Sequence, residues 1–151
     1  GLVAAFAGGN MGRALQLGDR ERLDEIVKAR DGLLELIDAW MQSRRFDSVF
    51  RYSERKSNQS LLKTRDGVRE RLDQLQTICF DLYFLKVETP HRVVNIDRVE
   101  ALEKLQKKCS VEDLRNLLKS ISDARSDVDR NVNPLPCFQT LWLAADSEAL
   151  S

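Results

Sequence analysis

Apolar residues recur at helical spacing along almost the whole chain, and no other feature of the sequence restricts the fold as much. Between Leu61 and Leu85 they are Leu61, Leu62, Val68, Leu72, Leu75, Ile78, Cys79, Leu82 and Leu85, which line one side of a 3.6-residue helix. Arg65, Asp66, Arg69, Glu70, Arg71 and Asp73 fall on the other side. The run is too short in heptads, and too isolated, for a coiled coil, so residues 61–87 are expected to form one long bundle helix. Upstream, Leu23, Ile26, Val27, Leu33, Leu34, Ile37, Trp40 and Met41 form a second stripe, which Phe46, Val49 and Phe50 continue. Residues 19–53 therefore read as one helix, or as two with a bend at Arg44 and Arg45. Gly32 weakens this helix by about 1 kcal/mol relative to Ala. The expected fold class is all-α, a helical bundle.

The stretch from Ser110 to Ala145 reads as two helices joined by a tight break. Val111, Leu114, Leu117, Leu118, Ile121 and Val128 share one face. Ser110 with Asp113 makes a capping box in which Asp replaces the usual Glu or Gln. Asn131 and Asn133 bracket the break. Asn133 is placed to cap the next helix, and Pro134 to occupy its first position, where a missing N–H costs nothing. Leu135, Phe138, Leu141, Trp142 and Ala145 then form the next apolar face. Asn131, Asn133, Pro134, Phe138, Leu141 and Trp142 are the candidate structural and interface residues.

The remaining segments are connectors. ERKSNQS (54–60) is wholly polar and reads as a solvated loop. Its cations offer only weak, salt-sensitive attraction to DNA. Thr89 and Pro90 break the long helix. Val93 and Val94 read as a brief extended piece, and Asn95 and Asp97 as caps of a helix over 98–107 with Val99, Leu102 and Leu105 inward.

Charge and cysteine content exclude several function classes. The 151 residues carry 24 basic and 24 acidic side chains, so the basic excess of a dedicated nucleic-acid-binding domain is missing. Cys79, Cys109 and Cys137 are too few and too scattered for a disulfide framework and fit a reducing cytoplasm. With His91 alone in a connector, they offer no zinc ligand set. No apolar run is long enough to span a membrane. The opening GLVAAFAGGN lacks a basic leader and an initiator Met, and reads as a cut inside a longer protein. No carboxylate pair or nucleophile–base pair stands out. No catalytic, cofactor-binding or metal-binding residue is expected, and no cofactor.

The segment ARSDVDRNVNP followed by CFQTLWLAA resembles the C-terminal end of the delta-prime subunits of the bacterial DNA polymerase III clamp loader. In that family an Ala-Arg helix runs into Asn-x-Asn and a Leu-rich helix follows; the correspondence lies at Ala124, Arg125, Asn131, Val132, Asn133 and Pro134. Pro136 stands where the family usually has Leu, and Gln139 near a common Glu. DLYFLKVETPHRVVNID is similar to the passage that precedes the last helices in the same family. AGGNMGRALQL resembles the end of the lid subdomain in clamp-loader AAA+ proteins. There Gly12 occupies the position of the phosphate-sensing Arg of the ATPase subunits, and Arg13 follows one residue later, about 100° round the helix.

The resemblance implies a division into the end of an AAA+ lid subdomain, residues 1–18, and a helical collar, residues 19–151. Collars of this family pack side by side in a pentameric ring and hold the AAA+ modules while the sliding clamp is loaded onto primed DNA. The implied partners are the delta and gamma/tau subunits, with no membrane and weak or absent DNA contact. The parent protein would be a non-catalytic subunit of the DNA-directed DNA polymerase holoenzyme. Two other classes fit the residues: the C-terminal part of a gamma/tau-type ATPase, which Gly12 argues against, and a free-standing helical adaptor that binds partner helices through the Trp40–Phe50 stripe. The Gly8–Gly9 pair before Asn10 reads as a turn between helices, since no Gly-Lys-Ser/Thr follows to make a phosphate loop. The chain is accordingly expected neither to hydrolyse nor to bind ATP tightly. Calorimetric titration with ATP and magnesium checks this, and micromolar binding would contradict it.

Overall fold

A computed structural model describes residues 17–130 and 132–150, with burial and contacts given for side chains between 19 and 146. The Gly8–Gly9 turn, the Asn10 cap, the Gly12–Arg13 register and Asn131 lie outside the described residues. The described chain is an all-α bundle: α1 Leu17–Ser43, α2 Phe46–Glu54, α3 Lys56–Gln59, α4 Arg65–Lys86, α5 Val99–Gln106, α6 Val111–Asp129 and α7 Pro134–Leu150. Single 3₁₀ turns lie at Leu61–Lys63, Pro90–Arg92 and Ile96–Arg98, and there is no strand among the described residues. Helix α4 is the centre, packing against α1, α5, α6 and α7, while α6 and α7 form the most extensive pair.

The helix boundaries follow from local chemistry. The 19–53 stripe divides at the two arginines, as the bend alternative has it. Arg44 takes a left-handed φ of 57°, and its N–H closes the last turn on the Trp40 carbonyl at 2.8 Å. The helix expected over 61–87 begins only at Arg65. Thr64 is extended, and its hydroxyl accepts from the Gly67 N–H at 3.0 Å, a side-chain N-cap. Leu61 and Leu62 keep the apolar period because the preceding 3₁₀ turn packs on the same core. At the other end Glu88 is left-handed with φ 59°. The Thr89 N–H reaches the Phe84 carbonyl at 2.7 Å and the Glu88 N–H reaches Leu85 at 3.3 Å, the paired bonds of a Schellman stop. The Ser110–Asp113 capping box is present in both directions, each bond 2.9 Å.

Two connectors differ from expectation. Residues 54–60 are not simply a solvated loop: Lys56–Gln59 form a helical turn, with Asn58 buried on its inner side. The Asn58 amide donates to the Tyr52 carbonyl at 2.9 Å. Asn95 and Asp97 do not cap α5, whose N-cap is Arg98 without a side-chain bond. Asn95 is buried against α4, where the Asp81 carboxylate accepts from the N–H groups of Val94 and Asn95 and from the Asn95 amide, at 2.8, 3.0 and 2.7 Å. Burial of the carboxylate is tolerated because its lone pairs are satisfied. Val93 is extended and buried.

The two glycines of the central helices predict opposite responses to alanine. A Cβ at Gly67 would meet the Leu61 carbonyl oxygen at 2.0 Å, whereas one at Gly32 would touch Tyr52 at an ordinary 3.4 Å. Gly32→Ala is expected to stabilise the fold by about 0.5–1 kcal/mol through helix propensity. Gly67→Ala should destabilise by about 1–3 kcal/mol as the cap and turn are forced apart. Urea unfolding of both variants measures the signs.

Candidate functional site

The C-terminal hairpin holds the residues singled out in the sequence. Helix α6 stops when the Val132 N–H reaches back to the Asp127 carbonyl at 3.3 Å, the long bond of a Schellman stop. Helix α7 then starts at Pro134, as its preset φ predicts. Asn133 is exposed, and its described hydrogen bond is made by its carbonyl, which accepts from Cys137 Sγ at 3.3 Å. Prolines at 134 and 136 remove two of the three N–H groups at the start of α7, so a side-chain cap at Asn133 has little to bind. Phe138, Leu141 and Trp142 are buried inside the chain itself. They are core residues of the bundle, and none presents its side chain on the outer surface.

Two of them, Phe138 and Trp142, carry an aromatic chain through the core. Trp40 of α1 meets Trp142 edge-on at 5.8 Å, Trp142 meets Phe138 at 6.4 Å, and Phe138 stacks on Tyr52 of α2 at 5.6 Å. Each such pair adds about 0.5–1.5 kcal/mol beyond burial. Trp40 is thereby sealed, while Phe50 stands 47% exposed, so Trp40 and Phe50 do not share one accessible groove for a partner helix.

Polar ties fix the helices around this core. Arg44, at the α1–α2 corner, donates to Asp113 at 3.0 Å and lies 3.9 Å from Asp146 of α7. Burial works to raise the Asp113 carboxyl, but the Ser110 N–H, the Arg44 guanidinium and the Ser110 hydroxyl outweigh it and hold the group below its ordinary range. Arg125 joins α6 to α4 through Asp73 and Gln76, at 2.7 and 3.0 Å. Arg30, buried in α1, grips both oxygens of Asp97 at 2.9 and 2.8 Å, and Arg98 returns the contact to Asp31 at 3.1 and 3.0 Å. Sequence reasoning missed these ties because it took polarity as a sign of exposure: Arg30 falls on the apolar stripe of α1, between Ile26, Val27, Leu33 and Leu34, and its partner Asp97 comes from a distant turn.

A cleft of about 540 Å³, lined by charged and apolar side chains, opens between α1, the α2–α3 corner and α4. Tyr52 and Arg71 are both buried in its wall. Arg71 donates to Gln74 Oε1 at 3.2 Å and to Asn58 Oδ1 at 3.3 Å. Arg71 Nε and the Tyr52 hydroxyl are buried without a hydrogen-bond partner among the described residues. Burial raises the Tyr52 hydroxyl pKa, with the Arg71 and Arg55 guanidiniums partly offsetting it.

The thiols are quiet. Burial pushes Cys109 up to about 11, Asp113 adding to the rise while Lys86 and Arg44 oppose it, and burial raises Cys79 and Cys137 as well. At neutral pH they are protonated and poor nucleophiles. Among the described residues no group of three or more His, Cys, Asp or Glu side chains could hold a metal ion, and no helix is long and apolar enough to cross a membrane. No protein-family model, curated protein or solved structure matches this chain.

The hairpin geometry separates two substitutions. Trp142→Ala should cost about 3–5 kcal/mol, because the ring is sealed between Trp40 and Phe138. Asn133→Ala should stay within about 0.5 kcal/mol of the parent, because the side chain is exposed at a helix start depleted of donors. Thermal unfolding of both checks the contrast, and a large loss at Asn133 would restore it as a cap.

Proposed function

We propose that this chain is the collar of a delta-prime-type clamp-loader subunit, working in the cytoplasm as an assembly module and performing no catalysis itself. Its role is to join delta and gamma/tau subunits into the ring that loads the sliding clamp onto primed DNA. The observation that carries the reading is the α6–α7 joint. The residues of the resemblance have coherent physical duties there: Ala124 is buried where α6 packs closely, Arg125 ties α6 to α4, and Pro134 starts α7. The surface supports an interaction role as well. Phe80, Val87, Val94 and Ile96, all from one stretch around the end of α4, are large apolar side chains left exposed, the kind of surface that marks protein contacts when it is contiguous. Phe80 stacks on Phe84 at 6.2 Å, and the Arg92 guanidinium lies over the Phe84 ring.

The test is assembly. Co-expressed with the delta and gamma/tau subunits of its source, the chain should co-elute with them in size-exclusion chromatography. The double variant Phe80→Asp, Ile96→Asp should lower recovery of the complex about tenfold while its own unfolding stability changes by less than about 1 kcal/mol, since both sites are exposed. A chain that elutes alone at every concentration overturns the reading.

A further inference from the structure

The cleft between α1, α2–α3 and α4 contains a guanidinium with no counter-charge. Arg71 is 6% exposed, and no carboxylate oxygen among the described residues lies within the 4.0 Å of an ion pair. This contrasts with Arg30, equally buried in the same molecule, which grips Asp97 through two short bonds. Burying an unpaired charge costs several kcal/mol, and the two amide oxygens that Arg71 does reach, at 3.2 and 3.3 Å, are longer than the 2.7–2.9 Å or so of a charge-assisted bond. Its Nε and the neighbouring Tyr52 hydroxyl hold further protons with no acceptor. A protein can keep such a group where a ligand supplies the missing anion.

We propose that this cleft is a carboxylate-binding site that takes an acidic segment of a partner protein. Three observations select the occupant. Arg71 and the Tyr52 hydroxyl are neighbours in the wall, the hydroxyl oxygen facing the guanidinium, and Arg71 Nε and the hydroxyl lack an acceptor for their protons, two donors for one planar carboxylate. The lining holds four cations, Arg22, Lys28, Arg55 and Arg71, against two carboxylates, Glu25 and Glu70, a net positive charge that favours an anion. The mouth is ringed by Arg22, Lys28 and Arg55, too spread to be served by one small anion and suited to a run of Asp and Glu. A cleft with this balance is complementary to an acidic peptide, in a chain whose overall charge is zero. On binding, the carboxylate displaces the long Asn58 or Gln74 contact and completes the Arg71 fork. The Asn58 amide stays anchored on the Tyr52 carbonyl. This inference stands on the cleft alone and does not require the ring assembly proposed above.

The experiment follows the Arg71 Nε–H signal by nitrogen–proton NMR of the whole chain, titrated in parallel with hexaglutamate, succinate and inorganic phosphate. Hexaglutamate should shift that signal at millimolar or lower concentration, succinate at least about tenfold less effectively, and phosphate less still. Tyr52→Phe keeps the ring stacked on Phe138 and removes a hydroxyl that has no partner, so the fold should be unaffected. It should weaken hexaglutamate binding about tenfold, as expected for one hydrogen bond to a charged group. Lys28→Glu, at the rim, should weaken it as well, with the loss shrinking at high salt. No shift with hexaglutamate, an equal response to phosphate or succinate, or unchanged binding by the well-folded Tyr52→Phe variant would each overturn the proposal.

Discussion

Trp40 and Trp142 meet edge to face between α1 and α7, and the two ends of the described chain are joined through that contact. Both rings are sealed from solvent. Phe138 and Tyr52 extend the contact to α2, so one continuous aromatic path joins the consecutive helices α1 and α2 to α7 at the other end of the described chain. Close packing makes such a path stiff, because removing one ring leaves a void that its neighbours cannot fill. Helix α4 supplies the aliphatic half of the same core, from Val68 to Leu85. The aromatic path fixes which helices meet, and the leucine stripe fixes how deeply they interlock.

Hydrophobic burial alone leaves helices free to slide and rotate, and the polar ties remove that freedom. Arg44 takes a left-handed backbone conformation that a non-glycine residue adopts at some cost. Its guanidinium is thereby carried to the capping box of α6 and toward the end of α7. Asp113 serves both the cap and this corner, so the start of α6 and the bend between α1 and α2 are set by one carboxylate. The crossed contacts of Arg30 with Asp97 and of Arg98 with Asp31 do the same for the turn before α5. A buried ion pair gains little net stability once desolvation is counted, yet breaking one partner is expensive. Its effect here is on register: α1 can hold the 96–98 turn in one position only.

The all-α class and most helix positions were legible in the sequence because the apolar stripe and the terminal signals agree. The Ser110–Asp113 box, the Pro134 start and the bend at the two arginines are local chemistry, and local chemistry survives folding. The break at Thr64 was hidden because Leu61 and Leu62 continue the period of α4 from a separate turn. Asn133 was misread as a cap because two prolines at 134 and 136 leave it almost no N–H to accept. Asn58 and Arg71 were read as solvent-facing on polarity alone, although Arg71 stands at helical spacing from Val68, Leu75 and Ile78 and so falls on the apolar face of α4. The Asp81 clamp on residues 94 and 95 depends on where a loop returns, and no spacing within either element encodes it.

The buried charged residues fall into two groups, and the difference between them is informative. Asp81 and Arg30 are buried with strong hydrogen-bond or ionic partners, so their burial is explained by the fold itself. Arg71 is buried with only neutral, long contacts, and Nε and the adjacent Tyr52 hydroxyl have none. Local rules that a sequence satisfies everywhere else are most often broken at functional positions. A leucine or methionine of similar volume at 71 would avoid the desolvation cost, and the amides of Asn58 and Gln74 would then have no reason to face it. That a guanidinium is kept there, with its neutral acceptors turned toward it and cations around the mouth, is accounted for by an anion that completes the site from outside the chain.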